Sequence, residues 1–498
     1  MRQTLHIVGK DMRQLWGEIA LVWVSTVLFA VIGLLRATPH KLDLQLAWPL
    51  SMALLLIAWW LLITRLVHAE TLVGTRPFWM TRPYSWRSLL AAKALFIIAF
   101  INIPWFVAQV AIVRRYGFPF AGALPGLMLK QAMIAVAFLL PSAVLAALTT
   151  GLVQVLLALV GVGVGYIVLW IMWTNMGIFP GLSLFAFDWL RGLLCAVLAA
   201  LAGVVILLLQ YRKRSTVLSV SLALASLVGV AWLQVRPPWP WILDLQSKLS
   251  REHVPSAEVT VRLNSQRALT ASVRPGKEQV FLHLIVPVEI ASSSGLSGRV
   301  DSVDLALQAG DGTALSQPAG LLSENSIVLQ TMVPAGFYRK IKDEPLKLQG
   351  RAYVTLFRPV ATIVAPDGKP AAVPGGRCTA ESFSDGPAYS LLCTSALRSD
   401  RELRTVRMQV AVDGSTEYVL PNDQYYGVSY SLLPADFDLD PVSRRQYLAV
   451  YRTPVWRLPQ APVLMAVEVK TSVPIAHLWT NVEIAGPRLS DHEEGPQH

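Results

Sequence analysis

Few residues in this chain could carry out a reaction, and most searches for a reaction centre among them fail. The sequence holds no H-E-x-x-H zinc helix and no G-x-S-x-G nucleophile elbow, so metal-assisted and serine hydrolysis lack their usual residues. The phosphate-cradling pattern G-x-x-x-x-G-K-[ST] is also missing, which excludes an ATPase of that class within the chain. His253, His283 and His477 sit in the C-terminal half without ligand spacing, and His492 and His498 belong to a polar tail. Asp436, Asp438 and Asp440 begin like a calcium loop, but Pro441 stands where that loop needs Gly and Tyr447 replaces its closing Glu. A solvated acidic turn is the better reading there. Two groups remain. One is the basic, proline-interrupted run Gly74–Lys93, and the other is Cys378 with Cys393, which bracket a loop rich in Ser, Gly and Asp. A disulfide across that loop would contribute about 3 kcal/mol in the chain-entropy model and needs an oxidising compartment; the alternative is two unpaired thiols. Cys195 lies in an apolar stretch and reads as a packing residue.

The elements that must position these residues follow from composition. The chain has 498 residues, 54% hydrophobic and 15% charged, with a mean hydropathy of +0.48, where a soluble domain carries roughly 25% charge. A single soluble domain is excluded. Residues 1–235 hold 17 Lys/Arg against 5 Asp/Glu, whereas residues 236–498 hold 26 against 27, so the net charge of +11 comes from the hydrophobic half. Basic residues scattered between apolar stretches are a sign of membrane topology; a nucleic-acid binder gathers them on one soluble face, so no nucleic-acid partner is expected.

Seven apolar stretches, near 19–35, 47–64, 94–113, 131–148, 152–174, 190–210 and 216–235, are long enough to cross a hydrocarbon core of roughly 30 Å. With the N-terminus cytoplasmic, eleven Lys/Arg fall on inner segments and six on outer ones, so the positive-inside bias selects this orientation. An odd number of spans then puts residues 236–498 outside, and a multi-pass plasma membrane, of the bacterial inner-membrane kind, is the expected location. No cleavable leader is expected, because about eighteen polar and amphipathic residues precede the first span and no A-x-A pattern follows. Along residues 1–18 and into the start of the first span, Leu5, Val8, Met12, Leu15 and Ile19 recur at helical steps, predicting for 1–18 an interfacial helix that touches membrane lipid. Such a helix is either a surface anchor or a part that transmits motion.

In the basic run, Arg76-Pro77 and Arg82-Pro83 interrupt helix, because Pro lacks an N–H and restrains the residue before it. Ser85 then caps a new helix leading through Leu89, Leu90 and Lys93 into the third span, and the result is a short, rigid, basic elbow. At Trp79, Thr81-Arg82-Pro83, Ser85, Leu89-Leu90 and Lys93, together with the opening helix containing Lys10-Asp11, the chain resembles the permease subunits of type-two ATP-binding-cassette exporters. The resemblance covers roughly the first 235 residues. It implies that Arg76, Arg82, Pro83, Ser85, Arg87 and Lys93 meet a separate cytosolic ATPase, with ATP and Mg bound there and no cofactor in this chain. It also implies a second permease copy or paralogue. The same arginines would fix topology in any membrane protein. The chain departs from the family's usual six-span core by a seventh span and a large outer domain.

Asn102, Gln109, Gln131, Gln154 and Asn175 lie in or at the ends of spans, where they either line a pathway or join helices through hydrogen bonds worth about 1 kcal/mol each. No span carries a central ionisable residue, which disfavours a proton- or sodium-coupled carrier. The stretch Asn175–Trp189, with Gly177, Pro180, Gly181 and Asp188, either dips into the outer leaflet as an exit gate or lies on its surface.

Beyond a 236–253 linker, short β-rich runs set in. They are Ala257–Leu263, Gln279–Val288, Val303–Gln308, Ile327–Val333, Ala352–Phe357, Arg404–Val412, Tyr425–Leu432, Tyr447–Tyr451, Val463–Lys470 and Trp479–Ile484. Asp-Gly pairs at 311–312, 367–368 and 413–414 mark turns, and 337–343 predicts a short helix. The expected architecture is therefore a membrane all-α bundle followed by an all-β, sandwich-like extracytoplasmic domain. Its halves would be 254–365 and 377–487, with a polar tail at 488–498. The functional expectation is an export permease. A non-transporting membrane-anchored binding or assembly module is the alternative, and an enzyme with an external active site has the least support.

Overall fold

The computed structural model describes residues 2–36, 46–69, 85–175, 189–235 and most of 240–492. Residues 37–45, 70–84, 176–188 and 236–239 lie outside that set, as do several connections in the C-terminal half, the longest being 420–440 and 451–462.

The N-terminal half is helical: α1 (Arg2–Gln14), α2 (Trp16–Leu35), α3 (Ala47–His68), α4 (Trp86–Ile97), α5 (Ile103–Arg115), α6 (Phe120–Ile134), α7 (Leu140–Leu148), α8 (Leu152–Asn175), α9 (Trp189–Lys213), α10 (Thr216–Val235) and α11 (Pro240–Lys248). Among the described residues, six apolar helical stretches are long enough to cross a membrane: Trp16–Leu35, Ala47–His68, Trp86–Arg115, Phe120–Leu148, Gly192–Lys213 and Thr216–Leu233. The remaining expected stretch, 152–174, coincides with α8, whose later side chains fall outside the described set, so the structure supports a multi-pass membrane protein with six clear spans among the described residues.

Two of these spans are long and internally modified. Residues Ile98–Asn102 between α4 and α5, and Ala135–Leu139 between α6 and α7, each form one π-helical turn, followed at once by Pro104 and Pro141. A proline removes a backbone donor and crowds the carbonyl one turn earlier; a widened turn relieves that crowding without ending the helix. The α9–α10 connection is short: Arg214 takes the left-handed conformation (φ 52°) usual for a helix cap, and its N–H donates to the Leu209 carbonyl. Phe29, Leu55, Trp59, Leu62, Phe96, Trp105 and Ile112 fill the core shared by α2, α3, α4 and α5.

The C-terminal half is built from β1 (Val259–Leu263), β2 (Thr270–Arg274), β3 (Gln279–Ser292), β4 (Ser297–Gln308), β5 (Ala314–Pro318), β6 (Gly320–Ser323), β7 (Ser326–Pro334), the helix α12 (Ala335–Ile341), β8 (Pro345–Pro366), β9 (Pro370–Val373), β10 (Gly376–Ser382), β11 (Ala388–Ala396), β12 (Leu403–Val412), β13 (Ser415–Val419), β14 (Val442–Val450) and β15 (Val463–Arg488). Alternation drives these strands: along β3, Val280, Leu282, Leu284, Val286 and Val288 are buried. One mixed sheet of eleven strands runs β5-β4-β8-β15-β1-β3-β7-β6, with β2, β12 and β13 attached beside that path. A four-stranded sheet, β14-β11-β10-β9, accompanies it. β3 and β4 are consecutive in the chain yet far apart in this order, and Gly298 of β4 backs directly onto Ile290 of β3, so the large sheet curls around its core.

The two runs read separately at 463–470 and 479–484 are one strand, because irregularities around Pro474 are absorbed while both flanks stay paired with β8. That strand inserts between β8 and β1, so the Pro- and Gly-rich 365–376 stretch does not divide the domain into two self-contained halves. Gly368 takes φ +67° in its turn and Gly312 takes φ +82°, as Asp-Gly turns require. The expected strand at 425–432 and the Asp-Gly pair at 413–414 lie outside the described residues.

Candidate functional site

Sequence reasoning placed the site on the elbow that enters the third span. The beginning of that span forms as expected: Ser85 is extended (ψ 142°) and its hydroxyl accepts from the Ser88 N–H, capping α4. Arg87 lies in the first turn and stacks its guanidinium over Trp86, 5.4 Å from the ring centroid. Arg76, Arg82 and Pro83 lie outside the described residues.

Lys93 departs from the surface role given to it. It is 3% exposed, and its Nζ donates to Asp11 Oδ2 at 2.8 Å, with Asp11 itself 1% exposed. Two turns beyond the cap, Lys93 has rotated away from the elbow surface and faces α1. The pair therefore fastens the opening helix to the third span. Ile7 and Asp11 on α1, with Leu15 just after it, are four residues apart and form the buried stripe. Leu5, Met12 and Trp16 form a second apolar stripe that is exposed. α1 thus has one face against protein and an apolar face that is exposed. The sequence marked Lys10-Asp11 and Lys93 separately; nothing local says that they meet.

A second fastening lies nearby. His68, at the end of α3, places Nε2 3.0 Å from the Ala146 carbonyl and 3.2 Å from Thr149 Oγ1 at the end of α7. Glu18 at the start of α2 accepts from Arg65 Nε at 3.2 Å. The start of α2 and the ends of α3 and α7 are thereby tied together.

The five polar span residues separate into different roles. Gln154 is exposed and its Oε1 accepts from the Thr150 N–H at 2.9 Å, so it closes the start of α8 and does not line a path. Gln109 is wholly buried in α5. Asn102 ends the first π turn, and both it and Gln131 hold buried polar atoms with no hydrogen-bond partner among the described residues. Trp59 and Trp105 meet edge to face near mid-span (5.3 Å), and neither indole N–H has an acceptor among the described residues. Mid-span hydrogen-bonding capacity thus exists near the modified turns. The Asn175 side chain lies outside the described residues.

In the β domain, Cys378 and Cys393 face each other on β10 and β11 and are disulfide-bonded, with Cα atoms 4.0 Å apart. A cluster that sequence reasoning missed lies on β4, β8 and β15. Arg299 Nε and Nη2 donate to Asp301 Oδ1 at 3.0 and 2.8 Å, Thr355 Oγ1 donates to Asp301 Oδ2, and His477 Nδ1 is 2.7 Å from Thr355 Oγ1. A carboxylate only accepts, so the threonine proton is committed to Asp301 and the imidazole N–H donates to Thr355. The hydroxyl is therefore not activated for attack, and the arrangement is structural. Burial holds His477 below its ordinary range; Asp301 works against that shift and Arg299 adds to it. The Arg299/Asp301 spacing of two on a strand was the available signal, but any such charged pair gives it. No group of three or more metal-ligating side chains occurs among the described residues, and Asp436, Asp438 and Asp440 lie outside them.

Comparison with protein-family models, with curated proteins and with solved structures finds no match.

Proposed function

We propose that this chain is the membrane-spanning permease subunit of an ATP-driven exporter, powered by a separate cytosolic ATPase that binds ATP and Mg. The observation that carries the reading is the buried Asp11–Lys93 pair. It joins the interfacial helix and the third span into one body directly behind the capped elbow, so a push on the Arg- and Pro-rich loop is passed to both. The two π turns, each beside a proline and near unmatched polar atoms, suit spans that bend during transport. In this reading α8 is the seventh span: its 24 residues measure about 36 Å, more than a hydrocarbon core of roughly 30 Å. The N-terminus is then cytoplasmic and the sandwich-like sheet domain extracytoplasmic, where a disulfide persists and the domain is available for substrate or partner contact. Exposed apolar side chains along α8, including Val153, Leu157 and Val160, face a second permease copy or paralogue.

Gentle extraction of the full chain from its native membrane tests the reading. An ATPase co-purifies with the wild type and is lost when Arg82→Glu and Arg87→Glu are combined. If no ATPase is retained with the wild type, the chain is a membrane-anchored binding or assembly module.

A further inference from the structure

The short helix α11 follows the last span after only residues 236–239, so its start lies within about 18 Å of the span's end. It has two distinct faces. Ile242, Leu243 and Gln246 are buried, whereas Trp241, Leu245 and Leu249 are 47%, 39% and 54% exposed. Their spacing of four puts those three on a single apolar stripe.

The segment leading from α11 is bound firmly to the large sheet. Tyr353 Oη donates to the Leu243 carbonyl at 3.2 Å, and Trp479 Nε1 donates to Asp244 Oδ1 at 3.1 Å. The His477 N–H donates to Ser250 Oγ at 2.9 Å, the Glu252 N–H donates to the Ile475 carbonyl at 3.0 Å, and Arg358 Nη2 bridges to Glu252 Oε2 at 2.7 Å. These contacts reach β8 and β15, the long central strands, so α11 and the sheet move together.

We propose that α11 is an interfacial helix whose Trp241/Leu245/Leu249 stripe lies in the headgroup–acyl boundary of the leaflet where α10 ends, holding the sheet domain against the membrane. The occupant is lipid because α11 begins within that short reach of the end of α10, a helix apolar and long enough to cross a membrane and on which Leu224, Leu227, Val228 and Trp232 are exposed. Trp232 near the end of α10 and Trp241 in the first turn of α11 are both exposed, as tryptophans are at a membrane interface. A helix of this kind buries its apolar face about 5–10 Å into the boundary. The inference needs only the membrane spans and stands whether or not an ATPase binds.

The test uses the full-length chain in the Cys195→Ser background, reconstituted in phosphatidylcholine/phosphatidylglycerol vesicles. A fluorescent label is placed at Leu245→Cys or, separately, at Leu249→Cys, with Lys369→Cys in an exposed turn as the control. A nitroxide on the lipid acyl chain near the glycerol dims both stripe labels about twofold or more, while an aqueous quencher leaves them nearly unchanged; the control behaves in the opposite way. Quenching of the stripe labels from water overturns the proposal. Protection from both quenchers also overturns it, because protein and not lipid then covers the stripe.

Discussion

Lys93→Met removes the ammonium from the α1–α4 joint while keeping most of its volume. It leaves the Asp11 carboxylate buried, with Lys10 Nζ 3.8 Å from Oδ1 as a remaining cation. Removing one partner of a buried pair costs about 3–5 kcal/mol, and the residual Lys10 contact places this case near the lower end. A loss of about 3 kcal/mol is about a hundredfold in the folding equilibrium. The effect should split in a particular way. Asp11→Leu combined with Lys93→Met replaces the pair by apolar side chains in an apolar setting and should recover most of the loss, because no buried charge remains. Unfolding of the purified protein by sodium dodecyl sulfate in mixed micelles, followed by circular dichroism, measures all four corners of the cycle. Hydrogen exchange over residues 2–14 reports release of α1 in the single variant and its return in the double. A Lys93→Met protein within about 1 kcal/mol of wild type, or a double variant losing the sum of the singles, refutes the claim that this pair fastens α1.

Other consequences are more local. Ser85→Ala removes the cap of α4 and should cost about 1 kcal/mol, seen as faster hydrogen exchange in the first turn after the elbow. Cys378→Ser with Cys393→Ser opens a loop closed over a sequence separation of 15 and should destabilise the β domain by about 3 kcal/mol, read from denaturant unfolding of the full chain. The half-buried His477, its pKa lowered by desolvation, makes the β domain acid-sensitive. Its native pKa lies below the ordinary 6.5, so the unfolded chain binds the extra proton first. Stability is then fully present above about 6.5 and falls as pH drops from there towards the lowered native value. Thermal unfolding between neutral and acid pH should show the loss, and His477→Gln should flatten that part of the profile.

Composition and periodicity were enough to place apolar helices before β-strands, because burial in lipid demands long apolar runs and a half-buried strand demands alternation. The Ser85 cap and the Asp-Gly turn at 312 were equally legible, since each rests on one residue's bond to its neighbours a few positions away. Pairing across distance was not. Asp11 and Lys93 are 82 residues apart, and as single residues each reads as an ordinary interfacial charge. Only helix packing removes water from both and turns them into a joint. The same holds for β15, whose sequence reads as two runs because strand propensity weakens at Pro474, while its pairing with β8 carries the strand through. It holds too for α11, which sequence treats as linker until the Tyr353 and Trp479 side chains bind one face of it. Local bonds and solvent preference are written along the chain; which face meets which partner is decided when distant segments compete for the same apolar contact.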